Sequence, residues 1–324
     1  MSSQSNTRAT RPLMVWVCHD GRAGHISQLK GLTKALARQT NIEELWLDSQ
    51  TLQVGFRGLL LPTKQDNSPD IIIGAGHGTH KSLLMLARTH RAKSFVIMKP
   101  SLPLPLFDGV ICPEHDGLAN SERVMTTQGP ITKISPPPNT KRTQHLMMIG
   151  GPSKHFVWDE SNLIKQIQEI CDTRREVLWH LSDSPRTPLS FIDKISSFEI
   201  ANLSCHRYQD GSFGPVDEAL QSSAFTWVTP DSMSMLYESL TSGSPTALLE
   251  LPMVSKSEKK RICMHINRLT SSGKLIDFGQ WQSNKKAQFY PDLPASLDEA
   301  SAAATWLLKR YQQLSLTAQT TGQA

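Results

Sequence analysis

The chain has 324 residues, a net charge of +5 and a pI near 8.9, with 38% apolar and 19% charged residues. This is the balance of a soluble globular protein long enough for two domains and two cores. Its mild basicity favours an anionic partner without selecting one. No apolar run reaches the roughly 18 residues of a membrane span.

The five cysteines are odd in number and none has CxxC spacing. Neither a disulfide framework nor a zinc site follows, and a cytoplasmic protein is expected. Basic residues are scattered, aromatic residues make up 6%, and no nucleic-acid module is recognisable, so nucleic acid is not an expected partner.

Residues 1–12, MSSQSNTRATRP, lack the apolar core of a signal peptide and read as a disordered polar lead. The run LMVWVC at 13–18 reads as a strand buried on both faces. HDGRAGH at 19–25 is a glycine-rich turn, and the spacing of Leu29, Leu32, Ala35 and Leu36 predicts a helix over 26–38. Strand, glycine turn and helix form the layout of a phosphate loop. The turn is neither GxGxxG nor GxxxxGK[ST], so its class stays open. His25 stands at the helix start, whose positive end favours a neutral imidazole able to act as a base. A capping or packing histidine is the plain alternative.

A strand at 42–47 precedes VGFRGLLLP at 54–62, where Phe56, Leu59, Leu60 and Leu61 surround Arg57 and Lys64 lies beyond. Such a segment either dips into an anionic bilayer surface or is a buried loop or short core helix. Strands are expected at 70–74, 94–98, 107–112 and 124–127, with a helix over 81–90. His77, His80, Lys99, Ser101 and Glu114 then fall at strand C-terminal ends, which share one edge in a doubly wound sheet. His77 and His80 are three apart with no third ligand type beside them, so no metal is expected.

The proline-rich stretch ISPPPNTKRT at 134–143 reads as a stiff interdomain linker. It sets an N-terminal domain at 13–134, a linker at 135–143 and a C-terminal domain at 144–295. The βα pattern restarts with a strand at 146–149. Gly150 and Gly151 let the backbone approach a ligand, and Ser153 and Lys154 can donate to an anion. A plain strand-to-loop turn is the alternative.

Further strands are expected at 177–181, 198–203, 225–228 and 246–250, and helices at 159–171, 188–195 and 216–222. In TPDSMSMLYESLTSG at 229–243, Asp231 or Ser232 caps a helix whose free N–H groups face the preceding strand end, and Gly243 closes it. Glu238 lies about two turns in, within reach of sugar hydroxyls. Basic Lys256 helps open the next helix. A last amphipathic helix at 300–311, within 296–314, is expected to pack back across both domains, followed by a polar tail at 315–324.

DGRAGH at 20–25, GAGHGTH at 74–80, MKPSLPLPLFD at 98–108, PEHD at 113–116, IGGPSKH at 149–155 and TPDSMSM at 229–235 form an ordered set. That set resembles the "elongated mitochondria" fission family of plants and Gram-negative bacteria. More distantly, the layout is similar to α/β glycosyltransferases of the GT-B fold such as MurG, with two Rossmann-like doubly wound domains and an interdomain cleft. This resemblance implies a metal-independent glycosyltransferase without a cofactor. It would move a sugar from a nucleotide-sugar to an envelope lipid or saccharide. His25, Asp20 and Glu114 would be catalytic. Gly150, Gly151, Ser153, Lys154, Asp231, Ser232, Glu238 and Lys256 would hold the donor. Arg22, Gly24, His77, His80, Lys99 and Ser101 would meet the acceptor.

The fission family implies instead a non-catalytic scaffold at the inner face of the membrane. An epimerase or dehydrogenase reading needs GxGxxG and a tyrosine with lysine four residues on, and the chain has neither. The apolar segment at 56–61 generates the first expectation. Flotation with anionic liposomes falls when Leu59→Asp and Leu60→Asp are combined, and unchanged flotation rejects a membrane contact there.

Overall fold

The apolar runs become strands covered on both faces. In LMVWVC, Val15 and Val17 enter one core with Leu29, Leu32 and Leu36, while Met14, Trp16 and Cys18 enter another with Leu83 and Leu86. The computed structural model describes residues 11–52, 68–136, 141–211, 213–254, 259–284 and 297–321, without the side chains of 259–263 and 318–321. Lys256 and the 54–62 segment lie outside the described residues.

The chain divides into two units, Met1–Lys133 with Glu299–Ala324, and Ile134–Asp298. The first contains β1 (Leu13–His19), α1 (Ala23–Gln39), β2 (Ile42–Asp48), β3 (Ile71–Ala75), α2 (His80–His90), β4 (Lys93–Ile97), β5 (Gly109–Pro113) and β6 (Val124–Thr127). These strands form one six-stranded sheet of order β2-β1-β3-β4-β5-β6, parallel at every pairing. The winding reverses between β1 and β3, because the chain leaves β1 for β2 on one side and returns for β3 on the other.

The second unit contains β7 (Gln144–Met148), α3 (Glu160–Thr173), β8 (Trp179–Ser182), α4 (Leu189–Ser196), β9 (Leu203–His206), α5 (Val216–Gln221) and β10 (Ser223–Val228). It continues through α6 (Met233–Ser242), β11 (Thr246–Leu248), α7 (Lys259–Ser271), β12 (Ile276–Asp277) and α8 (Phe278–Ser283). Its sheet order is β12-β11-β10-β7-β8-β9, again parallel throughout, and the reversal lies between β7 and β10. Met147 and Ile149 pack with Trp227, Leu163 and Phe191 on one face; Leu146 and Met148 pack with Leu236 and Tyr237 on the other. Both units are therefore Rossmann-like doubly wound domains, as the sequence predicts.

Two local expectations are corrected. The strand predicted at 198–203 is a turn, with Glu199 in the left-handed region at φ 46. The Asn202 carboxamide there donates to the carbonyls of Cys171, Arg174 and Val177, which fixes the turn and starts β9 only at Leu203. The C-terminal helix α9 (Glu299–Thr321) runs through the first seven residues of the stretch read as a polar tail.

Helix α9 completes the first unit. Ala300, Ala303, Ala304 and Leu307 are buried in the core with α1 and β1. Tyr311 reaches Asp70 at 3.4 Å, and the buried Arg310 binds Glu122 at 2.7 Å and the Asp108 carbonyl at 3.3 Å. Leu307 is fully buried, so Leu307→Ala leaves a cavity and costs about 2–5 kcal/mol. Urea unfolding of the full chain measures that loss, and a cost below about 1 kcal/mol removes α9 from the core.

Candidate functional site

In the first unit, the β1–α1 turn brings Asp20 and His25 together. His25 Nδ1 lies 2.8 Å from Asp20 Oδ1 and 2.9 Å from Oδ2. An ionised carboxylate only accepts, so Nδ1 carries a proton and donates it to Asp20. The spacing follows from local structure: Asp20 precedes the turn glycine at φ 78, and His25 sits in the first turn of α1.

Burial alone would push the Asp20 carboxyl up. Its hydrogen bonds from His25 and from the Arg22 N–H, with the charges of both side chains, outweigh burial and hold it below the usual carboxylate range. The Arg22 N–H reaches Asp20 Oδ1 at 3.3 Å and its Nε lies 3.8 Å from Oδ2. Gln50 Nε2 donates to the Asp20 carbonyl at 3.0 Å.

The loop after β3 closes on this pair from the far side of the reversal. Gly76 has φ 86, and a Cβ there would stand 2.4 Å from His25 Nδ1 and 2.7 Å from Asp20 Oδ2. Glycine is needed at this position for both conformation and space. The pair thus lies in the crevice between β1 and β3, where open α/β sheets bind ligands.

The remaining first-unit residues divide. Gly24 is exposed beside His25. His80 is buried, edge-on to Phe107 and His77, with Nδ1 3.2 Å from Ser101 Oγ. Burial, and then the charge of His77, lower its pKa. Lys99 ties two loops, its N–H on Asp116 Oδ2 at 3.2 Å and its ammonium on the Asp116 carbonyl at 3.1 Å.

Glu114 occupies a short 3-10 turn after β5. Glu114 shares the carboxyl edge of the sheet with Asp20, but the two do not lie at neighbouring strand ends. β5 stands three strands from β1, about 14 Å at the usual spacing, and Asp20 makes the contact with His25.

In the second unit, the end of β7 meets the end of β10. The Gly150 N–H donates to Thr229 Oγ1 at 2.8 Å, and the Gly151 N–H to Asp231 Oδ2 at 3.0 Å. Arg186 Nη2 donates to the same carboxylate oxygen at 2.7 Å, and Thr187 Oγ1 donates to the carbonyls of Ile149 and Gly150. A Cβ at Gly150 would stand 2.2 Å from Asp231 Oδ2, and one at Gly151 would stand 2.0 Å from the Arg186 carbonyl. The two glycines therefore make room for the chain itself.

Ser153 Oγ accepts from the N–H groups of His155 and Phe156 at 3.3 and 3.1 Å. Ser232 caps α6 by accepting from Met235 at 3.5 Å. Lys154 is exposed and Glu238 half-buried on α6. Beside Pro230 opens a cavity of 330 Å³ lined by Phe156, Leu249, Glu250, Pro252, Met253 and Asp277; Glu238 is not among its walls. Arg186 and Thr187 carry no motif in the sequence, and Thr229, although it opens TPDSMSM, is given no role there. Among the described residues, no group of three or more His, Cys, Asp or Glu side chains is placed to hold a metal. No described helix is long and apolar enough to cross a membrane.

The profile of the family described as Mitochondrial fission ELM1 matches residues 23–311. The chain belongs to that family. The fold is shared with a UDP-GlcNAc 2-epimerase from Methanocaldococcus jannaschii: TM-score 0.56, 10% identity, 91% of this chain and 99% of the other. The Neisseria meningitidis enzyme bound to UDP-GlcNAc gives 0.54 at 12% identity, covering 91% and 100%. MurG of Acinetobacter baumannii gives 0.46 at 13% identity, covering 95% of each chain. At these identities the likeness is one of fold, which is GT-B-like. No curated protein matches the chain.

The Asp20 pairing makes a prediction. A carboxyl held below its unfolded pKa adds stability above about pH 4, which is lost as pH falls through the folded value. Asp20→Asn should be less stable than the native chain near neutral pH, and the gap should close toward acid. Thermal midpoints across that range check it, and a gap that stays constant with pH rejects it.

Proposed function

We propose that this protein is a metal-independent glycosyltransferase of the GT-B type. It moves a sugar from a nucleotide-sugar donor to an envelope lipid or saccharide acceptor. The observation that carries the reading is the Asp20–His25 pair at the β1–β3 reversal. A neutral imidazole oriented by a carboxylate, with its second nitrogen free to take a proton, is the group that activation of an acceptor hydroxyl requires. Asp20 orients the ring and stabilises the imidazolium formed when the proton arrives. Arg22, Gly24 and His77 stand exposed on the same sheet edge to meet the acceptor, with His80 holding Ser101. Glu114 is assigned to acceptor contact.

The donor is assigned to the second unit. Gly150, Gly151, Ser153 and Lys154 follow β7, and Asp231 and Ser232 precede α6, whose N-terminus favours a phosphate. The cavity beside Pro230 has apolar walls for a base and the carboxylates of Glu250 and Asp277 for ribose hydroxyls. Support for the donor class comes from relatives in fold with UDP-GlcNAc or UDP bound. Glu238 and Lys256 complete the proposed donor set, and residues 56–61 supply peripheral membrane contact. Membership of a family named for mitochondrial fission supports a second reading, a scaffold without catalysis.

The test is product formation from UDP-GlcNAc and other sugar nucleotides, with and without envelope acceptors. Transfer needs acceptor, epimerisation does not, and a scaffold gives neither. Removing a general base typically slows a reaction about 100- to 10,000-fold. His25→Ala should lose turnover in that range while donor binding stays within about twofold, because the donor residues lie in the second unit. If donor affinity falls as far as turnover, His25 is a binding or structural residue.

A further inference from the structure

The Asp231 carboxylate has no exposed side-chain surface. Its Oδ2 accepts from the Gly151 N–H and from Arg186, while Oδ1 is buried without a hydrogen-bond partner. A buried anion with an unused acceptor is costly, and such a group is retained where something else uses it. The two contacts of Oδ2, a glycine-loop N–H and a guanidinium, are those a phosphate oxygen makes at a loop of this kind. The carboxylate thus stands in the place of a ligand oxygen.

Arg186 is its opposite in exposure. The side chain is 44% exposed, and only Nη2 is engaged by Asp231. A planar guanidinium presents five N–H donors and can grip a second anion with its free edge. It stands at the loop after β8, next to the Gly150–Gly151 turn. Helix α6, ten residues long, begins two residues after Asp231.

We propose that Arg186 is the cation that takes the donor's diphosphate, and that Asp231 holds its guanidinium in the free protein and yields it when the diphosphate arrives. This rests on the donor-site reading above and adds to it a cation and its competitor. The pair is neutral as a whole, so a diphosphate gains the full attraction of Arg186 only by displacing the carboxylate. Removing the negative charge of Asp231 should therefore strengthen diphosphate binding, the reverse of what loss of a structural contact does.

The experiment is calorimetric titration of the full chain with inorganic pyrophosphate and with UDP, folding being checked by circular dichroism. Arg186→Ala should weaken both probes by about tenfold or more, and Arg186→Lys should recover only part, since an ammonium lacks the two-pronged fork. Arg186→Gln serves if the alanine variant does not fold. Asp231→Asn should bind both probes about threefold tighter or better, by removing a competing charge. Arg186→Ala within twofold of the native chain, or weaker binding by a folded Asp231→Asn, overturns the proposal. Lys154→Ala separates the two levels: if it loses binding while Arg186→Ala does not, the donor site stands and Arg186 is not its cation. A native chain that binds neither probe removes the donor site and the proposal together.

Discussion

Parallel pairing is the constraint from which the rest follows. A parallel strand cannot return through a tight turn, so each connection crosses the sheet and covers a face. Every strand in each six-stranded sheet then ends at the same edge, and every loop leaving a carboxyl end opens there. Where the winding reverses, two such loops run apart on opposite faces and leave a crevice. The two polar clusters of the candidate sites lie at those reversals: Asp20, His25 and Gly76 between β1 and β3, Gly151, Thr229 and Asp231 between β7 and β10. Polar side chains gather there because sheet order leaves space.

The fold was legible where burial on two faces wrote a continuous apolar run. LMVWVC and DIIIG announce central strands because a residue facing either way meets a helix. Edge strands carry a weaker mark. β9, LSCH, is half-buried and polar, so the apolar pair Phe198 and Ile200 just before it drew the strand too early. The two-residue β12 and the short α8 escaped because neither is long enough to show a period. The extension of α9 to Thr321 was missed because its last turns are polar, and a polar helical end looks like a tail.

At the site, His25 was legible from a glycine turn followed by a helix, and Asp20 from its place five residues before. What bound them was not written locally: the Gly76 turn arrives from β3, some fifty residues on. The separation of Glu114 from Asp20 was not readable either, since strand order and not chain order decides which strand ends lie side by side. The glycines after β7 show a subtler limit. Their small size was readable, its cause was not, because Asp231 and Arg186 enter from two other strand ends. A sequence shows that a position must be empty of side chain without showing what fills the space.

The return of α9 to the first unit has a consequence for biosynthesis. The core around β1 and α1 is closed by Ala300, Ala303, Ala304 and Leu307, which leave the ribosome only after the whole second unit. The second unit is one uninterrupted segment, Ile134–Asp298, and has its whole sheet before that helix is made. Domains usually form in order of synthesis, yet here the unit that precedes in the chain is closed after the one that follows it. Until α9 emerges, the sheet face it shares with α1 is only partly covered, so a nascent chain stalled before Glu299 exposes apolar surface there.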